Sequence, residues 1–93
     1  MAYRVCYSRQ AVADWETLKT QGNPSLVVRT QRLLLQLEED PFAPDPPCRK
    51  LHGELSGLYA RRLNPQHRLV YQVIEESKTV KVVSMWSHLG DRG

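Results

Sequence analysis

The chain has little from which a covalently or metal-stabilised scaffold could be built. Of its 93 residues only Cys6 and Cys48 are cysteine, and they lie 42 positions apart. There is no Cys-x-x-Cys motif and no histidine at metal-ligand spacing, so free or buried thiols in a reducing cytoplasm are expected rather than a disulfide framework or a metal site. No apolar run approaches the roughly 18 residues of a membrane span. The N-terminus lacks a signal-peptide pattern, because Arg4 and Arg9 flank only a few apolar residues. Repeats, low-complexity tracts and an obvious domain linker are absent too. So are a Gly-rich phosphate loop, paired catalytic acids and a Ser-His-Asp set, which excludes the commonest cofactor-binding and nucleophile chemistries.

What remains fits one small folded domain over residues 1–93. Its core is modest enough that partner binding matters for stability. Hydrophobic residues at 41% and charged residues at 25% fit a soluble protein rather than a disordered one. The net charge of +3 is unevenly placed. Between Arg49 and Tyr71 there are five Lys or Arg against the single acid Glu54, a net of +4. The other 70 residues hold eight basic and nine acidic side chains, a net of −1. Such concentration is the footprint of a polyanion-binding face, with an ordinary solvated sheet face as the alternative.

The periodicities give an order of elements. Ala2 to Ser8 alternates, with Tyr3, Val5 and Tyr7 on one side, as a half-buried strand does. Ser8 can cap a helix to about Thr20 with the apolar stripe Val12, Trp15 and Leu18. Gly22-Asn23-Pro24 ends it and opens a second helix, with Asn23 as N-cap and Pro24 at the first helical position. That helix runs to about Glu39 with Leu26, Val27, Thr30, Leu33, Leu34 and Leu37 on one face. Four prolines between Pro41 and Pro47 predict a semi-rigid crossing without regular structure. Three strands follow at Gly57 to Leu63, His67 to Ile74 and Thr79 to Ser87, joined by Asn64-Pro65-Gln66 and Glu75-Glu76-Ser77-Lys78 turns. In the middle strand Leu69, Tyr71 and Val73 face one way, and Arg68, Val70, Gln72 and Ile74 the other. A β-α-α-β-β-β order implies an α+β fold, two N-terminal helices packed on one twisted antiparallel sheet whose open face carries the basic residues.

The segment Leu51 to Tyr71 holds the candidate chemistry. Guanidiniums fixed on neighbouring strands make a rigid, permanently charged, bidentate surface suited to phosphate. Arg61 and Arg62 are adjacent and point to opposite faces of a strand, so only one shares a surface with Arg68. Arg62 is assigned to that surface and Arg61 to solvent. An ion pair with an acid such as Glu54 is the alternative role for Arg68. His88 closes the last strand, where an imidazole can act as acid or base; simple exposure is its alternative. His52 sits in a turn, His67 at a strand entrance, and Arg49 and Lys50 in a loop able to fold over the sheet edge. Trp86 is free to stack on a base. Metal-independent RNA cleavage needs the 2′-OH proton removed, the anionic phosphorane stabilised and the leaving 5′ oxygen protonated. Arginines supply the second through preorganised donors, and His88 can supply the third.

These residues resemble the YoeB/Txe toxins of bacterial type II toxin–antitoxin modules, within the RelE/ParE superfamily. The likeness rests on Leu55-Ser56-Gly57, Arg61-Arg62 and His67-Arg68-Leu69-Val70-Tyr71, which match the family's Leu-Ser-Gly-x-x-x-Arg-Arg and His-Arg-Leu-Val-Tyr. The resemblance implies a cytoplasmic, cofactor-free endoribonuclease that cuts mRNA in the A site of the 70S ribosome. A YefM/Axe-like antitoxin would neutralise it by covering the basic face, and a homodimer is compatible with some relatives. By position, Arg68 is the family's catalytic arginine, Arg62 a second basic position, and His88 the histidine of a terminal His-Tyr. Arg61, Arg49, Lys50, His52 and Trp86 are the accompanying RNA contacts. Three residues depart from the pattern: Leu89 replaces the tyrosine, His52 replaces a lysine, and Arg49 occupies the place of the general-base glutamate. The base role then falls to Glu54 or His52, or is vacant. A ParE-type toxin acting on DNA gyrase, or a weakened toxin retaining antitoxin binding, are the competing readings.

Overall fold

A computed structural model of the chain describes residues 2–44 and 47–86. The chain forms β1 (Arg4–Tyr7), α1 (Arg9–Thr20), α2 (Pro24–Glu39), β2 (Cys48–Lys50), β3 (Leu58–Arg62), β4 (Arg68–Ile74) and β5 (Thr79–Ser84). Both helix starts follow from their caps. Ser8 Oγ accepts the Ala11 N–H at 3.0 Å and donates to the Val83 carbonyl at 2.7 Å, tying the first turn of α1 to β5. Asn23 Oδ1 accepts the Leu26 N–H at 3.2 Å, with Pro24 at the start of α2. Between the helices, Gly22 takes φ +72°, a backbone conformation in which a Cβ would be strained. Among the described residues no helix is long and apolar enough to cross a membrane.

The five strands form one mixed sheet in the order β1-β5-β4-β3-β2. The expected α+β architecture is present, with two differences. β1 pairs in parallel with β5, Val5 opposite Val80, so the sheet is not wholly antiparallel. Cys48–Lys50, read as loop, forms an antiparallel edge strand against β3. Three residues directly after a proline run are too few to show alternation, and only the neighbouring strand reveals them.

The helices cover one face. Ala11, Leu18, Leu26, Leu33 and Leu37 pack on Leu63, Leu69, Tyr71, Val80, Val82 and Met85. In α2 the buried residues Leu26, Thr30, Leu33 and Leu37 lie on the expected stripe. In α1 the face is rotated: Ala11, Asp14 and Leu18 are buried and Val12 is 51% exposed. Asp14 explains the rotation, because its Oδ2 accepts the Met85 N–H at 2.8 Å and its Oδ1 accepts from Gln10 at 2.8 Å. A buried carboxylate that caps the end of β5 fixes which side of α1 faces inward. On the opposite face of the sheet, a smaller cluster joins Leu51, Ala60 and Val70, with Leu58 and Val83 against it.

Arg61 overturns its expected place in solvent. It is fully buried on the helix-covered side, where Nε donates to Tyr71 Oη at 3.0 Å and Nη2 donates to the Pro41 carbonyl at 2.9 Å. Tyr71 Oη donates to the same carbonyl at 2.6 Å, and Cys48 Sγ lies 3.1 Å from that hydroxyl. With the tyrosine proton directed to Pro41, the Cys48 thiol is the donor. Phe42 packs edge-on to Tyr59 at 5.2 Å, and Tyr59 stacks on Tyr71 at 6.0 Å, so the end of α2 is held to β3 and β4.

Burial raises the Tyr71 pKa from its ordinary 10.0, and the Arg61 guanidinium beside it offsets only part of that rise. A raised folded-state pKa gives stability that is complete below about pH 10 and falls as pH rises beyond it, since the unfolded chain ionises first. Tyr71→Phe is therefore expected to flatten the alkaline fall in unfolding free energy, measured by urea denaturation above and below pH 10. Tyr3 and Tyr7, also shifted upward, leave a remainder. Arg61→Ala removes the hydrogen bonds of a buried charge to Tyr71 and Pro41 and leaves a void, at a cost of about 3 kcal/mol. The exposed Lys50→Ala should stay within about 0.5 kcal/mol of the parent in the same assay.

Candidate nucleic-acid interface

Strand alternation places Arg62 opposite Arg61, so the burial of one delivers the other to the open face. There Arg62 stands directly across from Arg68 in the β3–β4 register, at the hairpin end of both strands. The same register puts Ala60 opposite Val70, and β2 adds Arg49 opposite Ala60. Arg62 and Arg49 are exposed and Arg68 is half-buried. The hairpin itself is stiff: Asn64 Oδ1 accepts the N–H groups of Gln66 at 2.9 Å and His67 at 2.6 Å, and the Leu63 N–H donates to the His67 carbonyl at 2.9 Å.

These side chains enclose a cavity of about 280 Å³ lined by Arg29, Pro47, Arg49, Ala60, Arg62 and Arg68. Four guanidiniums therefore surround one concave space whose floor is a small residue, with no carboxylate among the described residues that line it. Arg29, Arg49 and Arg62 make no ion pair among the described residues. The ion pairs Lys19–Glu16, at 3.0 Å, and Lys78–Glu75, at 2.9 Å, lie on α1 and on the β4–β5 turn. Like charges directly opposed across strands cost roughly 0.2–1 kcal/mol. A group of permanent cations held so close on a rigid sheet is suited to an anion with several oxygens, and a phosphodiester has that form.

Of the residues that the sequence singles out, Arg49, Arg62 and Arg68 come together. Arg61 does not, because its guanidinium is consumed in the core, and a direct phosphate contact from it is ruled out. Lys50 is exposed but pairs opposite Tyr59, on the helix-covered side of the sheet. Glu54 and His52 are exposed at the 3-10 turn Gly53–Leu55, and neither lines the cavity. Trp86 is not free for a base: its ring stacks on His67 at 3.8 Å and it packs against the core. His88, Leu89 and the expected strand end at Ser87 lie outside the described residues.

Arg29 was missed. It flanks the buried stripe of α2, one position before Thr30 and three after Leu26, so the helical pattern places it at the rim of the covered face. Which strand end that rim meets is a tertiary fact, and a charge count confined to 49–71 could not reach it.

A family model described as the YoeB-like toxin of bacterial type II toxin-antitoxin system matches residues 7–89. Toxin YoeB of Mycobacterium bovis is 38% identical over 52 residues, which is 56% of this chain and 61% of that protein. The match thus spans less than two thirds of that relative's length. Among solved structures, a YoeB-YefM complex from Staphylococcus aureus superposes with a TM-score of 0.77 at 29% identity, covering 95% of this chain and 99% of that one. A YoeB dimer from the same organism gives 0.78 at 28% identity, with the same coverage of 95% and 99%. A match over nearly the whole chain, with the same sheet and helices beneath it, makes this chain a member of the YoeB-like toxins of bacterial type II toxin–antitoxin systems.

Proposed function

We propose that the chain is the toxin of such a module and acts in the cytoplasm as a ribosome-dependent endoribonuclease, cutting mRNA in the ribosomal A site. The observation that carries this reading is the cavity in which Arg62 and Arg68 face each other across β3 and β4, with Arg29 and Arg49 beside them. Arg62 and Arg68 hold the non-bridging oxygens of the scissile phosphate, and their hydrogen bonds strengthen as the phosphorane gathers charge. Cleavage begins when the 2′ oxygen loses its proton and attacks the adjacent phosphorus. His88 then protonates the departing 5′ oxygen.

Proton removal from the 2′-OH takes an altered form here. The position that aligns with the family's glutamate is Arg49, and its guanidinium lines the cavity. The 2′ proton therefore passes to solvent water rather than to a carboxylate, and the nearby positive charge favours the alkoxide left behind. A YefM-like antitoxin, as in the complex of the Staphylococcus aureus relative, neutralises the toxin by covering the basic face. A homodimer, as in the YoeB dimer from the same organism, is a further assembly expected of this chain.

The test is primer extension on mRNA from cells briefly induced for the wild-type chain, beside Arg68→Ala and Arg62→Ala. Wild type is expected to produce breaks at A-site codons, and each variant to lose roughly a hundredfold in rate, about 3 kcal/mol of transition-state stabilisation. Unchanged breaks in Arg68→Ala would remove that residue from the chemistry. Growth arrest without any breaks would support the gyrase-directed reading instead.

A further inference from the structure

The arginine cavity does not end at the β3–β4 hairpin. A second and larger hollow of about 700 Å³ adjoins it, and Arg29 lines both. Arg32 lines the second hollow together with Leu63 and Asn64 of the hairpin and Asn23 at the start of α2. Arg29 and Arg32 are three apart on one helix, so their side chains rise from neighbouring turns on the same side. Both are exposed, and neither makes an ion pair among the described residues. Basic groups thus run without interruption from Arg49, through Arg62 and Arg68, to Arg29 and then Arg32. Two elements distant in sequence, the sheet and α2, contribute to one cationic track around a stiff turn.

A cluster serving only the scissile phosphate has no use for a cation beyond the hairpin. Accordingly, and resting on the nuclease reading above, we infer that Arg29 and Arg32 bind RNA backbone phosphates outside the bond that is cut. Arg29 is the junction between the reacting phosphate and its neighbour, and Arg32 engages the phosphate beyond. Both are binding residues rather than catalytic ones. Their effect therefore falls on affinity and its salt dependence, whereas Arg62 and Arg68 act on the rate of the bound complex. The phosphates belong either to the message strand or to ribosomal RNA, since their chemistry is the same.

The double variant Arg29→Gln/Arg32→Gln separates these sources. Its affinity for a short, non-cleavable 2′-O-methyl oligoribonucleotide is measured across a salt series, beside KM and kcat on 70S ribosomes programmed with message. Loss of two phosphate contacts to a single strand should reduce the slope of log K against log salt by about 1.4. KM on ribosomes should rise, and for Arg32→Gln alone, outside the reacting-phosphate cavity, kcat should be unchanged, whereas Arg68→Ala should lower kcat. A reduced slope on the free oligonucleotide assigns the contacts to the message. A raised KM on ribosomes with an unaltered oligonucleotide slope assigns them to ribosomal RNA. If neither quantity moves, or if Arg9→Gln on the exposed start of α1 produces the same loss, the inference is overturned. Should wild type cut no message, the nuclease reading fails by itself; a loss of oligonucleotide slope in the double variant would still uphold the binding track.

Discussion

The buried guanidinium of Arg61 is the constraint on which the rest of the molecule depends. A permanent charge with no exposure is tolerated in a small core only when its donors are matched, and here Tyr71 Oη and the Pro41 carbonyl match them. Those two acceptors lie on different parts of the chain, β4 and the start of the proline-rich crossing. One side chain therefore sets the register of β3, closes the crossing on the sheet, and fixes the end of α2. A slip of one residue in β3 would expose Arg61 and bury Arg62, a charge for which the core offers no such partners.

From that inward arginine follows the outward one. Arg62 must take the open face, and the antiparallel register sets it against Arg68. The scaffold thus holds together side chains that repel one another. Such an arrangement persists because the surrounding fold over-determines it, through the Asn64 turn, the Asp14 bond to Met85 and the two capped helices. In physical terms the open face concentrates positive charge that an anion would offset, the kind of preorganisation that the proposed transition-state binding requires. On the proposed reading, Arg49 stands where the resemblance places a carboxylate, adds to that charge and shifts the expected chemistry towards electrostatic stabilisation of the alkoxide.

Local signals in the sequence revealed much of this. Ser8 and Asn23-Pro24 mark both helix starts because a cap is a contact within a few residues. The alternation from Arg68 to Ile74 assigns both faces of β4, since period two needs no distant information. The adjacency of Arg61 and Arg62 requires that one point each way, and the outward placement of Arg62 agrees with the structure. Its counterpart was misplaced, because burial of an arginine depends on the Pro41 carbonyl, 20 residues away in the chain. The same kind of distance hid the parallel pairing of β1 with β5, the rotation of α1 about Asp14, and the arrival of Arg29 at the sheet. Trp86 looked available for a base until its neighbour across the fold, His67, was in place. Contacts of short range were legible, and those that bring α2, α1 and the proline-rich crossing onto the sheet were not.

The claim that most needs testing is that Arg62, which makes no ion pair among the described residues, stands in a cationic cluster suited to an anion. Its most direct measure is the unfolding free energy of Arg62→Gln against wild type at low ionic strength, where screening is weakest. The account predicts that the variant is more stable by about 0.5 kcal/mol, the relief of one cross-strand repulsion, and that added inorganic phosphate abolishes the difference. Equal or lower stability of Arg62→Gln in low salt without phosphate would contradict it.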